Sequence, residues 1–342
     1  MKYIFKLEAS PINFNNSEVF NSEAFWNYLN KLGVQLTSIN IYNESNEFVA
    51  YVITTERKVG LLRFYGSPVR GIGTDFQGIT IYDEAVWNTI DILVQQFGEF
   101  LIKKKLTPFR LLDNQISKES FNNSIWNVLA SNRYILDLTQ SEEEIKKGFH
   151  YKSATYEINK ARKRGLRVQF VSDISYFLDI HYSHLLDVFN RKGLPVPHTK
   201  KRLETLFKSL APQQYLLSIT INAEDKVIAS NSYLVGKKFA YYYTGASFSA
   251  YFKDSPNELL MGESIIELKS RGTNYLEFGR GMGYKRKYGP IEKQFTEAYT
   301  LNGDWKLKLL EFVELKLKSL RKNKTYKRFF ASKINRLIHF TN

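Results

Sequence analysis

The stretch Leu276–Pro290, LEFGRGMGYKRKYGP, sets Gly279, Gly281, Gly283 and Gly289 among Arg280, Lys285, Arg286 and Lys287. Glycines beside cations suit one of two tasks: cradling phosphates, or holding a reacting substrate. A dinucleotide fingerprint, G-x-G-x-x-G, has to open a helix. Counted from Gly279, the third glycine arrives one position early, Tyr284 takes its place, and Pro290 follows instead of a helix start. A P-loop also fails, because no Lys-Ser/Thr pair stands at the required spacing. What remains is a strand-end loop bearing Glu277, Arg280, Lys285, Arg286 and Lys287. Strand alternation sends Tyr275 and Glu277 to one face, and Leu276 and Phe278 to the other. Loops at strand ends are common sites of chemistry.

Three other groups of residues carry possible chemistry. SPNELLMGESI places Ser255 at an N-cap, Pro256 at N1 and Glu258 at N3, so it offers a helix N-terminus where an anion can sit. His181 and His184 share a helix face, but no third metal ligand stands nearby in sequence, and core or surface histidines are the expectation. Lys152 lies at the start of the segment KSATYEINKARKRG, either as an exposed helix lysine or as a group that meets substrate.

The elements that must position these residues are mixed. YIFKLEA, VQLTSINIY, FVAYVITT and VGLLRFYG read as strands, SEAFWNYLNKLG as a short helix, and AVWNTIDILVQQFGEFLIKKK as a long one. RYILDL is a further short strand. Ser141 with Glu144 makes a capping box opening SEEEIKKGF. LRVQFVS, YLLSITIN, KVIASNSYLVG and KFAYYYTGAS follow as strands, with helices between and after them, and NYLEFG is the last strand. The order resembles that of the first half. The reading is α/β (α+β): two tandem domains with mixed, mostly antiparallel sheets, at 1–140 and 141–305, and a basic helical tail at 306–342.

Composition bounds the function. The chain has 342 residues, of which 43% are hydrophobic, enough for sizeable cores. It has no cysteine, which excludes disulfides, a thiolate nucleophile and Cys-ligated zinc. No apolar run reaches the length of a membrane span, and the start is too polar for a signal peptide, so the expected compartment is the cytoplasm. The formal net charge of +15 calls for an anionic partner. From Lys306 onward, 11 Lys and Arg stand against 2 Glu. The leucines of this tail either dock on the body or face an anionic membrane.

The loop LEFGRGMGYKRKYG resembles the C-terminal signature of the CelD-like and FemAB-like branch of the GNAT acyltransferases. The matching positions are Glu277 and Phe278, then Gly279-Arg280-Gly281, Tyr284-Lys285 and Tyr288-Gly289. LDLTQSEEEIKKGFHYKSATYEINKARKRG is similar to the opening of that family's second half, with Lys152, Ile158, Ala161 and Gly165 in place. The resemblance implies two GNAT-like domains, the second catalytic, and N-acyl transfer. The donor it implies is an acyl-CoA, acetyl-CoA in the simplest case, with no metal. The acceptor it implies is an amine on a cell-envelope or exopolysaccharide precursor, and a polyprenyl-phosphate carrier would place that acceptor at the inner membrane face.

Under that resemblance Lys285 partners the oxyanion or a substrate phosphate. Glu277 takes the amine proton or orients Lys285. Tyr284 and Tyr288 either pack or shape the acceptor site. Arg280, Lys287 and Lys152 are candidates for a diphosphate or carboxylate. Ser255 and Asn257, after the tyrosine-rich strand, are candidates for the donor. Asp75, in TDFQG, matches a segment of CelD-like members and either faces the substrate or makes a turn. Two other readings stand beside this one: Fem-like transfer from aminoacyl-tRNA to a peptidoglycan precursor, and a non-catalytic RNA- or membrane-binding protein driven by the tail.

Overall fold

The computed structural model describes residues 1–72, 74, 77–279, 283–303, 305–309 and 312. Arg280, Asp75 and nearly all of the basic tail therefore lie outside the described residues.

In chain order the main elements are β1 (Ile4–Glu8), α1 (Glu23–Lys31), β2 (Gln35–Tyr42), β3 (Phe48–Val59), β4 (Leu62–Ser67), β5 (Thr80–Ile81), α2 (Ile90–Lys103), β6 (Phe109–Asp113) and β7 (Trp126–Asp137). Then come α3 (Glu142–Lys147), α4 (Tyr156–Lys163), β8 (Arg167–Phe170), α5 (Ile174–Arg191), α6 (Lys200–Ser209), β9 (Tyr215–Ile221), β10 (Val227–Val235), β11 (Phe239–Ser247), α7 (Pro256–Ser270), β12 (Tyr275–Glu277) and β13 (Ile291–Thr300). The chain forms two compact units. One holds residues 1–15, 29–131 and the described residues from 294 on; the other holds 16–28 and the described residues of 132–293.

In the first unit β1, β2, β3 and β4 pair antiparallel in sequence order. Helix α2 then crosses over, and β6 returns parallel to β4. β13 closes on β6 with Thr296 opposite Asp113. The core lies under α2, where Leu93, Val94, Phe97 and Leu101 meet Ile39, Val52, Phe109 and Leu111. That stripe follows from apolar residues spaced three and four apart.

The second unit repeats the plan. β8, β9, β10 and β11 pair antiparallel, α7 crosses over, and β12 returns parallel to β11. β12 also pairs antiparallel with the second half of β7. Helices α4 and α7 cover one face of the sheet, with Ile158, Ala161, Met261, Ile265 and Leu268 packed on Leu216, Ile228, Tyr233 and Leu276. Gly262 lets α4 and α7 approach, since a Cβ there would stand 2.7 Å from Ile158 Cδ1. On the other face α5 buries Phe177, Leu178, His181, His184 and Leu185.

This is the mixed α/β architecture expected from sequence, with one parallel pair in each unit. Two strands exceed the expectation. β7 begins at Trp126, well before RYILDL, and β13 follows NYLEFG as a further strand. Both carry runs of polar residues, Ser131–Arg133 in β7 and Glu292–Gln294 in β13, which weaken their apolar signal without spoiling a pleat.

Residues 16–28 join the second unit through the β10–β11 turn. The Lys238 amide donates to Glu18 Oε1 at 2.9 Å, and the Lys237 amide to Ser17 O at 2.6 Å. Phe20 lies tilted against Tyr241, 4.6 Å between ring centres. Burial pushes the Glu18 carboxyl up to about 7, against the lowering effects of the Lys238 amide and charge. A carboxyl raised on folding gives stability that is full below its unfolded value, near 4.5, and is lost as pH rises through 7. The ceiling on that loss is about 3 kcal/mol. Hydrogen exchange at the Lys237 and Lys238 amides, corrected for intrinsic rates, is expected to quicken between pH 5 and pH 8. Glu18→Gln should flatten that dependence; an unchanged slope in the variant would assign it elsewhere.

Candidate active site

β11 and β12 run side by side for only three residues, with Phe239, Ala240 and Tyr241 opposite Tyr275, Leu276 and Glu277. β12 then ends, while β11 continues to Ser247 with Tyr242–Gly245 partly exposed. The glycine loop leaves at this point. Gly279 turns at φ +88°, a conformation that favours glycine, and a 3-10 turn runs from Gly283 to Tyr288.

That turn brings Lys285 back over the strand ends. Its Nζ donates to Phe278 O at 2.6 Å and lies 4.1 Å from the centre of the Tyr242 ring. Tyr284 donates its hydroxyl to Tyr242 Oη at 3.2 Å. The residue is 48% exposed, but its hydroxyl is turned toward Tyr242, and desolvation raises it above the ordinary phenol value. Tyr242 is raised much further by burial, so both phenols keep their protons at neutral pH. Gly245 makes room for this arrangement: a Cβ there would fall 1.9 Å from Tyr242 Oη. A bulge between Ser232 and Tyr233 opposes Tyr242 and Thr244 to consecutive residues of β10 and aims the tyrosine at the loop.

Alternation on β12 holds as expected. Leu276 and Phe278 enter the core beneath α4 and α7, and Glu277 takes the other face. Glu277 is 1% exposed and pairs with Arg133 Nη1 at 3.1 Å; it also accepts the Gly279 amide at 2.9 Å. The contacts described for Glu277 thus tie it to β7 and to the first turn of the loop. Arg133 escaped the sequence reading. Its signal is position: it sits two residues before Ile135, which opposes Glu277, and so shares its face of β7.

The other named residues fall as follows. Tyr288 is fully buried, edge-on to Phe149 with ring centres 5.4 Å apart, so its ring packs the core. Lys287 forms an ion pair with Glu258 at 2.6 Å, and its carbonyl accepts the His150 amide at 2.7 Å. Lys152 is exposed on a π-turn, Tyr151–Thr155, that precedes α4. Ser255 does stand at the N-cap of α7, with Pro256 next, but at φ +59° its hydroxyl leaves the helix and bonds Glu157 Oε2. Asn257 donates to Ser247 Oγ at 2.7 Å.

Asp75 lies outside the described residues, but the base of its loop is pinned in the first unit. There Ser67 Oγ donates to Gly78 O, and the Ile79 amide to buried Asp113, at 3.1 and 2.9 Å. His181 and His184 are core residues. Both reach Ser230 Oγ through Nδ1, at 2.8 and 2.7 Å, and burial pushes them down to about 3 and about 4. Among the described residues no group of three or more His, Asp or Glu is placed to hold a metal ion. No described helix is long and apolar enough to cross a membrane.

Residues 149–286, which span α4 to the glycine loop, match the family model described as an acetyltransferase (GNAT) domain. No curated protein matches the chain. Among solved structures it is similar to FemX, with a TM-score of 0.65 at 10% identity over 83% of this chain and 93% of that one. It is also similar to the C-terminal domain of a putative lysylphosphatidylglycerol synthetase from Agrobacterium fabrum. There the TM-score is 0.57 at 14% identity over 86% and 92% of the two chains. L-PGS from Bacillus licheniformis gives 0.51 at 11% identity over 82% and 92%. Residues 149–286 thus match a GNAT acetyltransferase domain, which supports an acyltransferase, and the chain shares its fold with FemX and with the lysylphosphatidylglycerol synthetase domain.

Proposed function

We propose that the protein transfers an acyl group to an amine on a cell-envelope or exopolysaccharide precursor, with the reaction seated where β12 ends beside β11. The observation that carries this reading is the placement of Lys285. Its ammonium is held by Phe278 O and the Tyr242 ring at the partly exposed stretch of β11. Attack by a neutral amine on an acyl carbon puts negative charge on the carbonyl oxygen. A fixed cation aimed at that oxygen stabilises the transition state more than the ground state. Tyr284 and Tyr242, both protonated at neutral pH, supply neutral donors beside it. Lys152, exposed on this domain, is available to an anionic acceptor, and the basic tail to a polyprenyl-phosphate carrier at the inner membrane face.

The resemblance implies acyl-CoA as donor, with its diphosphate at the start of α7. The residues there do not fit a dianion. Pro256 has no N–H to give, and the Ser255 hydroxyl is bonded to the Glu157 carboxylate. That favours the second reading, an aminoacyl ester on tRNA, for which the net charge of +15 is suited. The name of one solved neighbour, a putative lysylphosphatidylglycerol synthetase, supports aminoacyl transfer in the same direction.

The test offers the purified chain acetyl-CoA or charged tRNA, with amino-sugar and muropeptide precursors as acceptors, and follows acceptor mass. A gain of one acyl or one aminoacyl group identifies the donor. No transfer from either, with RNA or vesicle binding retained, would replace the enzyme reading with the binding-protein one.

A further inference from the structure

We propose that Glu157 fills, from within the chain, the position a donor diphosphate would take at the start of α7. The site then selects an acyl donor that brings no diphosphate to that turn. The inference rests on the acyl-transfer reading only in calling the ligand a donor; the geometry stands without it.

A helix N-terminus offers unpaired amides and a partial positive charge, and one anion satisfies both. Here a carboxylate already stands at the N-cap, bonded to the Ser255 hydroxyl. Glu157 lies in the first turn of α4, bonds Ser255 Oγ at the N-cap of α7, and accepts Lys160 Nζ at 2.9 Å. The Ser255 and Lys160 bonds hold its carboxyl below the usual carboxylate range, so it is charged at neutral pH.

Two nearby cations are committed in the same way. Lys287 pairs with Glu258 in the first turn of α7, and Arg164 pairs with Asp254 just before it, at 2.6 and 2.5 Å. Three carboxylates face three cations. An entering diphosphate would have to compete with these three carboxylates for the cations they hold. The side chain that follows Pro256 is also turned away, since Asn257 is given to Ser247.

The test is calorimetric titration of the full chain with coenzyme A, at moderate salt so that unspecific charge attraction is screened. The wild type is expected to give no saturable binding. Glu157→Gln, which keeps the size and removes the charge, is expected to gain saturable binding at least tenfold tighter than any the wild type shows. Ser255→Ala, which leaves the carboxylate in place, is expected not to gain. Glu157→Ala serves if the glutamine variant fails to fold. One equivalent of coenzyme A bound tightly by the wild type would overturn the proposal. So would Glu157 variants, folded by circular dichroism, that bind no better than wild type. Either result would leave acyl transfer itself standing, because that is read from acceptor mass and from Lys285.

Discussion

Lys285→Ala is expected to lower the turnover number of acyl transfer by about 10²–10³, the usual loss when one oxyanion-stabilising group is removed. The argument is geometric. Phe278 O and the Tyr242 ring hold the ammonium in place at the end of β12. A charge fixed beforehand need not reorganise when the carbonyl oxygen becomes anionic, and that is where catalysis gains over water. The loss should appear in kcat more than in KM, since the charge acts on the transition state.

Lys285→Arg is expected to restore only a small part. The guanidinium keeps the charge but is a flat fork, and the site is built around a single nitrogen bonded to one carbonyl at 2.6 Å. Folding should be intact in both variants, because the side chain is only partly buried and packs on the surface of the turn. The measurement is steady-state acyl transfer beside the thermal midpoint of each protein. Turnover within threefold of wild type in the alanine variant would remove Lys285 from the chemistry.

The glycine loop was legible because its information is local. Three adjacent letters, Tyr275 to Glu277, define the faces of β12, and glycines mark where the chain turns. The capping box of Ser141 and Glu144 is present for the same reason, both of its bonds formed within four residues. The fold class followed from periodicity, and each unit has its crossover helix between the expected strands.

What was not legible depends on contacts between distant residues. Arg133 meets Glu277 144 positions later, and Ser255 meets Glu157 across 98 positions. Read locally, Ser255 is a helix cap; only the fold brings it a carboxylate that takes its hydroxyl. Tyr242 looks like one of three equivalent tyrosines until the bulge in β10 and β11 singles it out. The attachment of residues 16–28 to the second unit depends on Glu18 reaching the β10–β11 turn, 220 positions away. No periodicity records such pairings, because each partner alone satisfies its local pattern.

Breaking the Arg133–Glu277 pair should carry the largest stability cost of any change in the site. With the partners 4% and 1% exposed, removing one leaves the other charge buried, and about 3–5 kcal/mol is the expected penalty. Glu277→Ala and Arg133→Met should each lower the urea midpoint accordingly. The double variant Arg133→Met/Glu277→Met should cost much less than the sum, since no unpaired charge remains and both positions become apolar. Glu277→Gln separates stability from chemistry. It keeps an acceptor for the Gly279 amide, which holds the first turn of the loop at 2.9 Å, while removing the charge and any capacity to take a proton. If the role of Glu277 is to anchor the loop through Arg133, the glutamine variant loses stability and turnover together. In that case turnover recovers in part at low temperature, where the fold is again fully populated. If Glu277 takes the amine proton, turnover falls and stays low in a folded protein, and the pH–rate profile loses its acidic limb. Additive, small costs in the unfolding series would contradict the buried pair itself, and with it the account of how β12 holds the loop over β11.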